Sequence, residues 1–131
     1  MIHGPDAPAG NLGALRSHGI ELVGVDDAHD PHQVAVALGD YGFNEVLVEG
    51  GAQVHGSFLR AGLYDRLELY VGAATLGGGL GVCAGAGVGL MREAQRWQAE
   101  DAPRVLGDTV CLRLCKPQPE LGDHEPLVVL G

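Results

Sequence analysis

The feature that most constrains this chain is the run Glu45-Val46-Leu47-Val48-Glu49-Gly50-Gly51-Ala52-Gln53-Val54-His55-Gly56-Ser57-Phe58-Leu59. A short apolar segment ends in a carboxylate and two glycines, then passes into a helical pattern in which Val54 and Phe58, four apart, share one face. A buried strand, a glycine turn and a helix start present bare backbone N–H groups to an anion. Glycine there lets a phosphate approach without meeting a Cβ. Glu49 stands at the strand end, and in open α/β sheets ligands bind outside the carboxyl ends of the strands. Two readings fit: a nucleotide-phosphate site with an acidic neighbour, or an ordinary tight turn preceded by a solvated strand-end carboxylate. The G-x-G-x-x-G fingerprint is not present.

The chain has 131 residues, a length that suits one domain with a modest core. Seventeen acidic residues against eight basic ones give a net charge of −9, which argues against nucleic-acid or membrane-surface binding as a main role. A phosphate-bearing cofactor needs only local donors and stays compatible with that charge. No apolar run reaches membrane-spanning length and no signal-peptide pattern opens the chain, so a cytoplasmic location is expected. The three cysteines, Cys83, Cys111 and Cys115, fit reduced thiols. Cys111 and Cys115 fall on one face of a strand pattern, too far apart for a disulfide within it.

Along the chain, 11–18 reads as a helix closed by Gly19, and 20–25 as a strand. Residues 31–41 read as a second helix, with Asp30 as N-cap, Pro31 at the first position and Gly42 after the end. Then follow a strand over 44–49, a helix over 52–61 and a strand over 66–73 with Leu67, Leu69 and Val71 on one face. Alternating strands and helices argue for a parallel sheet. Residues 75–89, nearly all glycine, alanine and valine, read as a long loop. Strands over 93–100 and 109–116, joined through Pro103 and Gly107-Asp108, make an antiparallel hairpin. Residues 117–131 form either a loose tail or a docking strand.

Other constellations carry less. His29 and His32, with Asp26, Asp27 and Asp30, could hold a divalent ion, but Asp30-Pro31 fits a helix start equally well and no later pair completes a site, so no metal is expected. His55 could contact a phosphate or face solvent, and it has no partner legible in the sequence. Ser57 lacks a nucleophile elbow, and Trp97 reads as core rather than a stacking platform.

Leu47-Val48-Glu49-Gly50-Gly51 is followed in order by Ser57-Phe58-Leu59-Arg60-Ala61-Gly62-Leu63, Asp65, Leu67-Glu68-Leu69-Tyr70 and Leu76-Gly77-Gly78-Gly79. That series closely resembles the C-terminal reductase domain of the bifunctional riboflavin biosynthesis proteins called RibD. The resemblance runs from about Ala14 to about Lys116 and is strongest between Val46 and Gly79. It implies an α/β fold, a dihydrofolate-reductase-like three-layer sandwich (partial here) with a mostly parallel sheet and a C-terminal antiparallel hairpin. It also implies NADPH-dependent reduction of 5-amino-6-(5-phosphoribosylamino)uracil, a phosphorylated pyrimidine, by hydride transfer to the sugar C1′. Carried over position by position, Glu49 matches the family's substrate-contacting glutamate. Gly51, Ala52, Gln53, Val54, His55, Gly56 and Ser57 match the segment that wraps the cofactor phosphates. The catalytic residues stay unassigned.

Family members dimerise, and the resemblance implies a homodimer with the hairpin region as a contact. The family's reductase domain begins well before the position with which Met1 aligns. The chain therefore reads as an N-terminally truncated reductase, with a partial domain over 1–116 and an extension over 117–131. Weak or no catalysis is expected of it. Two alternatives remain: a non-catalytic binding or oligomerisation module on the same half-fold, and a related pyrimidine or pterin reductase.

Overall fold

The computed structural model describes residues 1–79 and 81–117, so the expectation for the extension lies outside the described residues from 118 onward. The chain divides into two compact units, one formed by Met1–Tyr64 with Leu76–Gly89, the other by 65–75 with the segment that begins at Leu90.

In the first unit, β1 (Ile2–His3) pairs in parallel with β2 (Val23–Gly24), Ile2 opposite Val23. Three helices accompany them: α1 (Ala9–Ser17), α2 (Pro31–Asp40) and α3 (Ala52–Arg60). α2 starts as its sequence dictates: the Asp30 side chain accepts a hydrogen bond from the His32 N–H, and Pro31 occupies the first turn, where a missing N–H costs nothing. All three helices end alike. Gly19, Gly42 and Gly62 take φ of 75°, 92° and 68°. The next residue then donates back into the last turn, Ile20 to Leu15, Phe43 to Leu38 and Leu63 to Phe58, at 3.1 Å each. This is the Schellman closure, with an apolar residue at both ends of the returning bond.

In the second unit, β3 (Arg66–Gly72), β4 (Gln98–Ala99), β5 (Arg104–Leu106) and β6 (Thr109–Cys115) form a four-stranded antiparallel sheet. β3 lies on one side of β6, with Leu67 opposite Leu114, Leu69 opposite Leu112 and Val71 opposite Val110. β4 and β5 follow one another along the other edge, interrupted near Pro103, which has no N–H to give the ladder. Gly107 takes φ 66° at the first central position of the β5–β6 turn, where a two-residue hairpin of type II′ needs it. The strict period of two separates an apolar face (Leu67, Leu69, Val71, Leu112, Leu114) from a polar one. On that polar face Arg113 reaches Glu68 at 2.9 Å, Asp101 at 3.6 Å and Glu100 at 3.8 Å. Cys111, in the middle of β6, is the one fully buried apolar side chain among the described residues. It carries a free thiol, as do the half-buried Cys83 and Cys115.

Three local expectations differ from what the chain adopts. Residues 44–49 form no strand: among the described residues no ladder bond reaches them, and Leu47 is 82% exposed. A strand exists through its neighbours, and apolar periodicity alone does not supply one. The segment 20–25 keeps strand geometry only at Val23–Gly24, so parallel pairing among the described residues is confined to β1 and β2. The segment 93–100 keeps it only at Gln98–Ala99. Just before it, Met91–Glu93 form a turn of 3₁₀ helix in which the Glu93 carboxylate accepts from the Leu90 N–H at 3.2 Å.

Candidate functional site

The site predicted from the sequence is the approach to α3. Gly51 is the N-cap, extended at φ −80° and ψ 173°, and no side chain caps the helix. The first-turn N–H groups of a helix have no partner within it, so this end carries partial positive charge toward solvent. Space is open at Gly51, where an added Cβ would meet no heavy atom within 4 Å. Gly50 differs: a Cβ there would stand 3.1 Å from the Val54 side chain, so the chain passes close over its own first turn. Glu49, two residues before the cap, is exposed and has no ion-pair or hydrogen-bond partner among the described residues.

The rest of α3 is committed to packing. Ala52, Gly56 and Arg60 recur every four residues and face the glycine-rich loop. The Ala84 N–H donates to the Ala52 carbonyl at 2.8 Å, and Arg60 Nη1 donates to the Ala84 carbonyl at 3.1 Å. Gly56 lies buried between these two contacts, where a Cβ would collide with Ala84 backbone. The loop expected from 75–89 is therefore fastened to α3 along part of its length. The Ser57 hydroxyl donates to the Val54 carbonyl at 2.8 Å and is satisfied within the helix.

His55 is half-buried rather than solvated: its Nδ1 lies 2.8 Å from the Tyr64 hydroxyl. The Tyr64 ring stands 6.0 Å from that of Phe58 and 6.2 Å from that of His55. Desolvation first, and the Cys83 thiol second, push the Tyr64 phenol above its ordinary pKa. Sequence reasoning missed Tyr64 and Ala84 as neighbours of this helix, and Arg60, within it, as the side chain that holds the loop. The one legible hint was Gly62, whose positive φ turns the chain back along α3.

Glu49 and Gly51 to Val54 thus gather at the open end, while Gly56 and Ser57 serve the helix and its packing. Two grooves lie elsewhere in the first unit. One, of about 500 Å³, runs between β2 and α2 and includes Val25, Asp26, Val36 and Tyr41. The other, of about 250 Å³, includes Asp6, Asp26, Asp27 and His29. In the loop that carries His29, Asp27 Oδ1 accepts from the His29 N–H at 2.8 Å, and no group of three ligating side chains assembles among the described residues.

Residues 15–109 match the family described as the RibD C-terminal domain. The riboflavin biosynthesis protein RibD of Mycobacterium tuberculosis is 39% identical over 80 residues, covering 61% of this chain and 23% of that protein. The Bacillus amyloliquefaciens RibD is 37% identical over 85 residues, covering 63% and 23%. This chain therefore spans less than a quarter of the length of these relatives. Among solved structures, two forms of Acinetobacter baumannii RibD superpose with TM-scores of 0.64 and 0.63 at 24% identity, covering 81% and 79% of this chain and 29% and 28% of theirs. That likeness shows the fold, an α/β fold of the dihydrofolate-reductase-like kind. With the match extending over most of its length, this chain belongs to the RibD C-terminal domain family.

Proposed function

We propose that this chain carries the phosphate-holding end of an NADPH site in a riboflavin-pathway reductase, with Glu49 turned to a phosphorylated ribosylaminopyrimidine. The observation that carries the reading is the uncapped start of α3 behind Gly50-Gly51, with open space at Gly51. The first-turn N–H groups and the helix dipole hold an anion there even on a chain of net charge −9. Val54 forms the wall beneath Gly50, and loop 76–89 steadies the helix from the other side. NADPH, when bound, supplies the hydride. The protein's share is position and exclusion of water. A cytoplasmic location belongs to the same reading, as for a reductase of soluble metabolites. No helix among the described residues is long and apolar enough to cross a membrane. A homodimer is part of the same reading.

Gly51→Asp tests it. The extended backbone and open space accept an aspartate as an N-cap, so the fold persists and the helix gains a cap. Its carboxylate then occupies the anion position, and NADPH affinity should fall about tenfold or more, the loss expected of charge-assisted hydrogen bonds. Unaltered affinity overturns the assignment.

A second reading, a catalytically silent assembly module, is favoured by one observation: Val46 and Leu47 are 48% and 82% exposed in a segment without a strand partner. Turnover of the pyrimidine substrate by this chain alone would eliminate it. Substrate competition with a pterin separates the related pterin reductases from the main reading.

A further inference from the structure

We propose that Tyr64 is a positioning residue: its hydroxyl donates to His55 Nδ1 and holds the imidazole with its hydrogen on Nε2, as a donor to the phosphate of a nucleotide bound at the start of α3. The inference rests on the cofactor reading above and adds two side-chain roles to it.

The geometry comes from the helix end. Gly62 at φ 68° reverses the chain, and the Leu63 N–H returns to the Phe58 carbonyl at 3.1 Å. Tyr64 is thereby laid back along α3, its ring beside Phe58 at 6.0 Å and its hydroxyl 2.8 Å from His55 Nδ1. Phe58 and His55 are three apart on the helix, so one tyrosine ring spans both. A neutral imidazole has one N–H, and an O–H donated to Nδ1 leaves that hydrogen on Nε2. The phenol keeps its proton because desolvation and the neighbouring Cys83 both favour the neutral form. Nε2 itself has no hydrogen-bond partner among the described residues. Helical side chains lean toward the N-terminus and cover the preceding turn, which for His55 is the turn that begins at Ala52. Without Tyr64, both tautomers and other ring orientations are open, and only the fraction that keeps an Nε2–H toward the phosphate offers it a donor.

The test uses the whole chain and NADPH as the probe. Nitrogen-resolved spectra of the free protein should show His55 protonated at Nε2 and bare at Nδ1. Tyr64→Phe, which keeps a ring against Phe58, should preserve the circular dichroism spectrum, mix the two tautomers and weaken NADPH binding about threefold to tenfold, the scale of one hydrogen bond. His55→Ala should lose a comparable factor, and adding Tyr64→Phe to it should cost nothing more. A wild-type ring protonated at Nδ1 overturns the inference without any variant. So does unchanged affinity in Tyr64→Phe, while the cofactor site itself survives. Failure of the wild type to bind NADPH overturns the cofactor reading, and this inference with it.

Discussion

Gly56 lies directly under the Ala84 backbone: a Cβ at position 56 would stand 2.9 Å from the Ala84 carbonyl carbon and closer still to its oxygen. The contact joins the helix that begins at the candidate site to the glycine-rich loop, and only a residue without a side chain permits it. Gly56→Ala should therefore destabilise the protein by about 1–3 kcal/mol, the range for overpacking. Gly13, inside α1, is the control, since its Cβ would meet nothing within 4 Å. Gly13→Ala should be stabilising by about 0.4–1 kcal/mol through the unfolded chain. Urea midpoints of the two variants check both signs, and equal shifts would contradict the packing account.

Arg113 is the hub of the polar face of the antiparallel sheet, facing Glu68 directly across β3 and β6. Desolvation lowers its pKa, but Glu100, Glu68 and Asp101 outweigh that and raise it. The group is partly exposed, so the gain is screened. Arg113→Ala should lower the urea midpoint only slightly, as the loss of exposed pairs does. The loss should shrink in high salt as the remaining carboxylates are screened from one another. A salt-independent loss would place the effect in packing of the arginine stem instead.

All three tyrosines hold their protons more tightly than a free phenol. Tyr41 does so first through a hydrogen bond to Glu21, Tyr70 first through one to Glu68, and Tyr64 first through desolvation. Folded pKa values raised above the unfolded 10.0 mean that the native state binds more protons on the alkaline side. The stability they contribute is complete below that value and is lost as pH rises through the folded values. Phenolate absorbance should titrate later in the native protein than in denaturant, and the urea midpoint should fall as pH climbs past the unfolded value. Coincident titrations would contradict it.

What the sequence disclosed was what depends on neighbours along the chain. Asp30 and Pro31 marked the start of α2, Gly19 and Gly42 the ends of two helices, and the alternation of Val110, Leu112 and Leu114 the strand that became β6. These signals are local, written in side-chain chemistry within one turn or one pleat. Residues 44–49 show the limit: Val46-Leu47-Val48 has strand composition, yet strand geometry needs a ladder partner that no local pattern guarantees. The candidate site divides the same way. The open cap at Gly51 was legible from two glycines before a helical pattern. The His55–Tyr64 pair was not, because the tyrosine reaches back only after Gly62 has reversed the chain.

The measurement that tests the central claim most directly is a backbone amide spectrum of the whole chain, recorded while NADPH is added. Anion binding at the start of α3 predicts that the largest shifts fall on the amides of Ala52, Gln53 and Val54, with Glu49 and His55 close behind and the amides of β6 unmoved. Shifts absent from that turn, or confined to another part of the chain, would contradict the site.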